Sequence, residues 1–229
     1  RSDWSSDVCS SDLELDDKPR IAEALGNLGV IYRYIGETEK AMEHLRRQLD
    51  IATDLDDKIQ IARVQSNIGW VFEGQGDYEQ ALEFYEHSLA GNRELGLKAE
   101  IVRLLDNIGY ANQHLQKYSE ALEFHRAALE MALETGDVDS MTNITINTGH
   151  AHKALGEYAE AEVRYNEAAA MIEAHNLRYA LPEVLIEKAD LYCRLSRYAE
   201  ADRLNREGLK VAEEIGSAEF IEKGRKLSE

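Results

Sequence analysis

At 229 residues, with 44 acidic against 26 basic side chains and a formal net charge of −18, the chain can bury a sizeable core yet presents a strongly acidic body. Such a body repels phosphate backbones and anionic lipid head groups, which argues against nucleic acid and membrane surfaces as partners. No apolar run approaches the roughly 20 residues that a spanning helix needs.

The opening stretch, RSDWSSDVCSSDL at 1–13, resembles nothing in the rest of the chain. Asp3 through Leu13 matches the translation of a common short-read sequencing adapter, so 1–13 is read as a non-native segment and left out of the fold reasoning. Trp4 and Cys9 go with it, leaving Trp70 and Cys193. One cysteine makes neither an internal disulfide nor a Cys-based metal cluster, which fits a reducing compartment and a cytoplasmic location.

From there a period of 40 residues governs the sequence. Gly29, Gly69, Gly109 and Gly149 recur in the quartets GNLG, SNIG, DNIG and INTG, with Ala189 continuing the series. Ala41, Ala81, Ala121, Ala161 and Ala201 follow at a constant spacing, and Tyr78, Tyr118, Tyr158 and Tyr198 precede the last four, with Thr38 in the first unit. Repeats of this length signal stacked supersecondary units.

In chain order, residues 14–17 read as the end of a preceding unit, because LELDDK at 13–18 aligns with TDLDDK at 53–58. Residues 18–56 hold a first helix pair, with Pro19 in the first turn, where a missing N–H costs nothing. Gly36 breaks this pair in the middle and Asp56 closes it. Units 57–96, 97–136 and 137–176 repeat the plan, with Gly76, Gln116 and Gly156 as breakers and Gly96, Gly136 and Asn176 at the ends. Most are residue types that accept the left-handed backbone ending a helix; Gln116, like Ser196 in the next unit, is a weaker version. Unit 177–216 has Ser196 and Gly216 in these roles, and Pro182 predicts that its first helix starts late or bends. Residues 217–229 begin a further first helix. No alternating β-branched pattern predicts a strand.

A small residue at 29, an aromatic at 32 and 72, Tyr78, Ala81, and Leu49, Leu89, Leu129 and Leu209 together resemble the tetratricopeptide repeat. The 40-residue unit and the N-[LI]-G quartet look like the subclass of spindle-orientation scaffolds and bacterial signalling proteins. The resemblance covers Leu15 to Glu229, with departures at Asn112, His152 and Lys188. It implies an all-α superhelix (an α-solenoid) of antiparallel helix pairs whose first helices line a concave groove for a protein or peptide. Two further roles fit it: a sensory or regulatory segment of a larger signalling enzyme or transcription regulator, and Rap-like recognition of a small signalling peptide.

At 100° per residue, positions 24, 28, 31 and 35 and their copies form one apolar arc of the first helix. The opposite arc carries Arg63, Arg103 and Asn143, then Trp70, Tyr110 and His150, then Lys153 and His114. These eight form the expected groove. Rings and arginine are enriched at binding hot spots, and a basic, aromatic patch in an acidic body suits a ligand with acidic residues. The same rings would also serve as ordinary contacts between neighbouring first helices. Asn27, Asn67, Asn107 and Asn147 lie about 60° off the groove centre, where stitching between repeats is expected. His150 and His152 point apart on one helix and cannot chelate as a pair. No phosphate loop or nucleophile motif is present, so no metal, cofactor or enzymatic activity is expected.

Overall fold

The computed structural model describes residues 17–228; the adapter-like segment 1–13 and most of the truncated unit at 14–17 lie outside the described residues. The described residues form eleven α-helices and no strand. They run α1 (Lys18–Tyr34), α2 (Thr38–Asp54), α3 (Lys58–Gln75), α4 (Tyr78–Leu95), α5 (Lys98–His114), α6 (Tyr118–Thr135), α7 (Val138–Leu155), α8 (Tyr158–His175), α9 (Leu181–Arg194), α10 (Tyr198–Ile215) and α11 (Ala218–Leu227).

The ends of these helices follow from single residues. Asp17, Asp57, Asp77 and Asp137 each accept a hydrogen bond from a backbone N–H three residues on, satisfying a donor that the first turn leaves free. All ten breakers named above have positive φ. Glycine enters that region without cost, whereas Gln116 (φ 60°) and Ser196 (φ 59°) carry a Cβ penalty there. The 40-residue spacing therefore prevails over local preference at those two junctions. Pro182 sits in the first turn of α9, which begins at Leu181 and has 14 residues where the other first helices α1, α3, α5 and α7 have 17 or 18.

The described residues fall into two compact units, one ending at Leu115 and one beginning at Gln116. In the first, α1 packs on α2, α2 on α3, α3 on α4 and α4 on α5. In the second, α6 to α11 pack in the same sequential way, with α7 and α11 also touching α9. Each unit is thus a stack of helix hairpins.

The small-residue ladder explains how the hairpins close. A Cβ on Gly29 would stand 2.6 Å from the Leu45 side chain, one on Gly69 2.7 Å from the Tyr85 ring, and one on Gly149 2.6 Å from the Tyr165 ring. Leu45, Tyr85 and Tyr165 are fully buried, so each large side chain of a second helix fills the space that glycine leaves on the first. Ala41, Ala81, Ala121, Ala161 and Ala201 are buried beside them. The apolar arc behaves as expected except in its first copy: Val71, Ala111, Ala151 and Leu191 are buried, while Ile31 is 52% exposed.

Buried polar residues of the second helices supply some of the hydrogen bonds between helices. Ser88 Oγ donates to the Ala62 carbonyl at 2.7 Å, Gln48 Nε2 donates to Gln60 at 3.3 Å, and Asn205 Nδ2 donates to the Gly224 carbonyl at 2.8 Å. In the asparagine ladder, Asn27 is exposed and Asn67, Asn107 and Asn147 are half-buried.

Candidate functional site

In the unit ending at Leu115, the first helices α1, α3 and α5 present rings and guanidinium groups. Trp70 on α3 is half-buried and takes the Arg33 guanidinium of α1 over its ring, with Cζ 3.4 Å from the centroid. Arg33 Nε also donates to the Trp70 carbonyl at 3.3 Å. Tyr34, 71% exposed, meets the Trp70 ring edge-on with centroids 5.1 Å apart. One turn beyond Trp70, Gly74 leaves room for this arrangement, since a Cβ there would stand 3.3 Å from Arg33 Nη2.

Behind the ring lies Glu73, whose Oε2 accepts a hydrogen bond from Tyr85 Oη at 2.8 Å. Burial raises the Glu73 pKa, opposed by the Tyr85 hydrogen bond and by the Arg33 charge. Burial lowers the Arg33 pKa, partly offset by Glu73. Farther along, His114 stacks on Tyr78 with centroids 4.3 Å apart and 8° between the planes, and Tyr110 tilts against it at 4.5 Å. Burial lowers the His114 pKa, so the stacked imidazole is neutral at neutral pH. Arg63 and Arg103 are exposed; Arg63 donates to Gln60 Oε1 at 2.6 Å and Arg103 pairs with Glu100.

Of the eight residues expected to line the groove, five thus lie in this unit: Arg63, Trp70, Arg103, Tyr110 and His114. Arg33, Tyr34 and Tyr78 join them, although the sequence reading left them out. Arg33 occupies the repeat position of Lys153 and Tyr34 that of His114, and the sequence signal beside Arg33 is the small residue at 74, where a Cβ would approach its Nη2. A concavity of about 520 Å³ between α2 and the end of α3, lined in part by Met42, Arg46 and Phe72, involves none of these residues.

The equivalent positions of the second unit are arranged differently. His150 and Lys153 on α7 face Glu183, Glu187 and Asp190 on α9. Lys153 Nζ lies 2.6 Å from Asp190 and also pairs with Glu187, while Lys223 of α11 reaches the same Glu187. His150 Nε2 is 3.4 Å from Glu187 and 4.0 Å from Glu183. Glu187 is buried, 5% exposed. Burial alone would raise its pKa, but the charges of His150, Lys153 and Lys223 outweigh burial and hold it well below the usual carboxylate range. Burial lowers the His150 pKa to about 4, against the pull of Glu187. With His150 neutral at neutral pH, the two lysines supply the counter-charge. Lys153 is therefore a locked structural cation, its side chain 13% exposed, and not a free groove cation. Asn143 is exposed, and on the same helix Asp139 accepts a hydrogen bond from the Tyr179 hydroxyl at 2.8 Å.

Among the described residues no group of three or more His, Cys, Asp or Glu is placed to hold a metal ion, and no helix is long and apolar enough to cross a membrane.

Comparison with known proteins yields one sequence family. Residues 20–94 and 100–174 match the family model described as Tetratricopeptide repeat. No curated protein matches the chain in sequence. Several solved structures match in fold. A Rap protein complexed with Competence and Sporulation Factor is 21% identical with a TM-score of 0.80, over 90% of this chain and 57% of that one. BtubC from P. vanneervenii is 19% identical with a TM-score of 0.78, over 93% and 90%. The Rap conjugation gene regulator of plasmid pLS20, in complex with the Phr* peptide, is 14% identical with a TM-score of 0.77, over 89% and 56%. The chain thus spans a little over half the length of these two Rap proteins. At such identities the likeness is one of fold.

Proposed function

The chain belongs to the tetratricopeptide repeat family, and on that premise we propose that it is a protein- or peptide-binding module, working through the first-helix face of the unit ending at Leu115. The observation that carries this reading is the Arg33–Trp70–Tyr34 cluster with its neighbours Tyr78, Tyr110 and His114. A tryptophan capped by a guanidinium, with an exposed tyrosine at its edge, joins three residue types that dominate binding hot spots. Two Rap proteins of the same fold are described in complex with Competence and Sporulation Factor and with the Phr* peptide, which supports a peptide as ligand. The basic side chains of this face in an acidic chain favour a ligand with acidic residues.

A library of random peptides displayed on phage and selected on the immobilised chain tests this. Enriched peptides should lose about 2 kcal/mol or more of binding energy in Trp70→Ala, while far-UV circular dichroism shows unchanged helix content. Joint replacement Arg63→Glu and Arg103→Glu should lower the association rate and its salt dependence. Selected peptides indifferent to all three changes would move the site off this face. Unfolding of Trp70→Ala would make the ring part of the core.

A further inference from the structure

We propose that Arg33 is the gripping residue of this face, held on the Trp70 ring to take a carboxylate side chain from an extended acidic peptide. The proposal rests on the peptide-binding reading above and adds which residue sets the ligand's chemistry.

Two contacts fix Arg33, and a glycine gives it room. Its guanidinium lies over Trp70, its Nε is spent on the Trp70 carbonyl, and Gly74 keeps the adjoining space clear. Fixing Nε and the plane of the group leaves the two terminal amino groups as a pre-aimed fork, the geometry that binds a carboxylate through two parallel hydrogen bonds. Much of the ordering entropy of a long side chain is already spent before a ligand arrives.

The fork also lacks an internal partner. Among the described residues no carboxylate comes within 4.0 Å of Arg33, whereas Arg103, Arg164, Arg178, Arg194 and Arg197 each pair with one. Glu73, the nearest compensating charge, has its Oε2 accepting from Tyr85 and acts on Arg33 only through space. In a chain with 44 acidic residues, a half-buried arginine without an ion pair is a place where an external carboxylate gains the most.

The source of that carboxylate follows from a second cation. Arg63 on α3 has a neutral partner, Gln60, and no ion pair within 4.0 Å among the described residues. A chain terminus brings one carboxylate; two unpaired guanidinium groups on α1 and α3 call for a segment with several acidic side chains.

The experiment uses peptides selected from the phage library on the full chain, and each Asp or Glu in them changed singly to Asn or Gln. On the wild-type chain at least one change should weaken binding about tenfold or more, the scale of a charge-assisted bidentate hydrogen bond. On Arg33→Met the acidic and amide peptides should bind within about twofold of one another, since their difference is spent at this side chain. Arg33→Lys should behave like Arg33→Met, because a lysine offers neither the fork nor the stacked plane. Gly74→Leu keeps Arg33 in the sequence, favours the helix and pushes the guanidinium off its seat, so it should show the same loss. Peptides that depend on Trp70 but keep their acid preference in Arg33→Met overturn this inference and leave the peptide-binding reading standing. Peptides that depend on neither residue overturn both. The Asp-to-Asn comparison on the wild-type chain cannot be mimicked by misfolding.

Discussion

Trp70 in one unit and His150 in the other stand at equivalent places in their repeats, 80 residues apart, on scaffolds that close in the same way. Gly69 receives Tyr85 in the first case, and Gly149 receives Tyr165 in the second. Around Trp70 a guanidinium stacks on the ring without an ion pair, and rings stay partly open to solvent. Around His150 three carboxylates of α9 meet lysines of α7 and α11, and burial holds the imidazole neutral among them. The periodic positions decide that there is a hairpin and how tightly it closes. The positions that break the period decide whether a face spends its charges inside the chain or leaves them for a partner.

The widest separation between the two faces should appear when a central group is removed from each. Glu187→Ala leaves Lys223 without its ion-pair partner and Lys153 with Asp190 alone, and should cost about 3 kcal/mol in denaturant unfolding. Arg33→Met gives up one partly exposed cation–π contact, worth about 0.5–1 kcal/mol. Equal losses would show that both faces are structural and erase the contrast.

The glycine ladder offers a control in which the two units should agree. Gly69→Ala and Gly149→Ala each drive a methyl into a buried tyrosine ring, and each should lower stability by about 1–3 kcal/mol, read as a fall in melting temperature. A large cost at one site alone would mean that the scaffolds differ too.

Acidity gives the finest distinction. The folded pKa of His150 lies near 4, below its ordinary value of 6.5, so the unfolded chain binds more protons between these values. Its contribution is fully present above about pH 6.5 and is lost as pH falls toward 4, about 2 kcal/mol between pH 7 and pH 5. Glu73 in the other unit has a raised pKa, so the folded chain binds the extra proton and acidification relieves its burial. Melting at pH 7 and pH 5 should therefore show a larger drop for the wild-type chain than for His150→Gln. An identical drop in both would remove His150 from the account.

Much of this architecture was legible residue by residue. The ten breakers were visible as Gly, Asn, Asp, Gln or Ser at a fixed spacing, and each takes a left-handed backbone because a helix can end that way only where φ turns positive. The late start of α9 followed from Pro182, whose ring bars it from a helix interior. Trp70, Tyr110, Arg63 and Arg103 were picked from the helical wheel alone. Arg33 was not, because its role depends on a ring 37 positions away and on the missing side chain of Gly74. Lys153 was picked as a groove cation on the same wheel, which shows direction but not the partners waiting there. Glu187 and Asp190 meet it from α9.

The sequence by itself determined the helix pairs, their boundaries and the 40-residue rhythm, since caps, breakers and hairpin contacts join residues near in sequence and recur in every copy. It also determined the acidity of the body, a sum that no folding changes. Only the tertiary structure decided which cations are spent and which are free. The contacts that hold Arg33 and Lys153 join side chains from different repeats, and whether two such groups meet depends on distances of a few ångströms that a linear spacing does not contain. That is why Arg33 and Lys153, both basic residues on the same arc at equivalent repeat positions, end in opposite states: one stacked without an ion pair over Trp70, the other locked between Glu187 and Asp190.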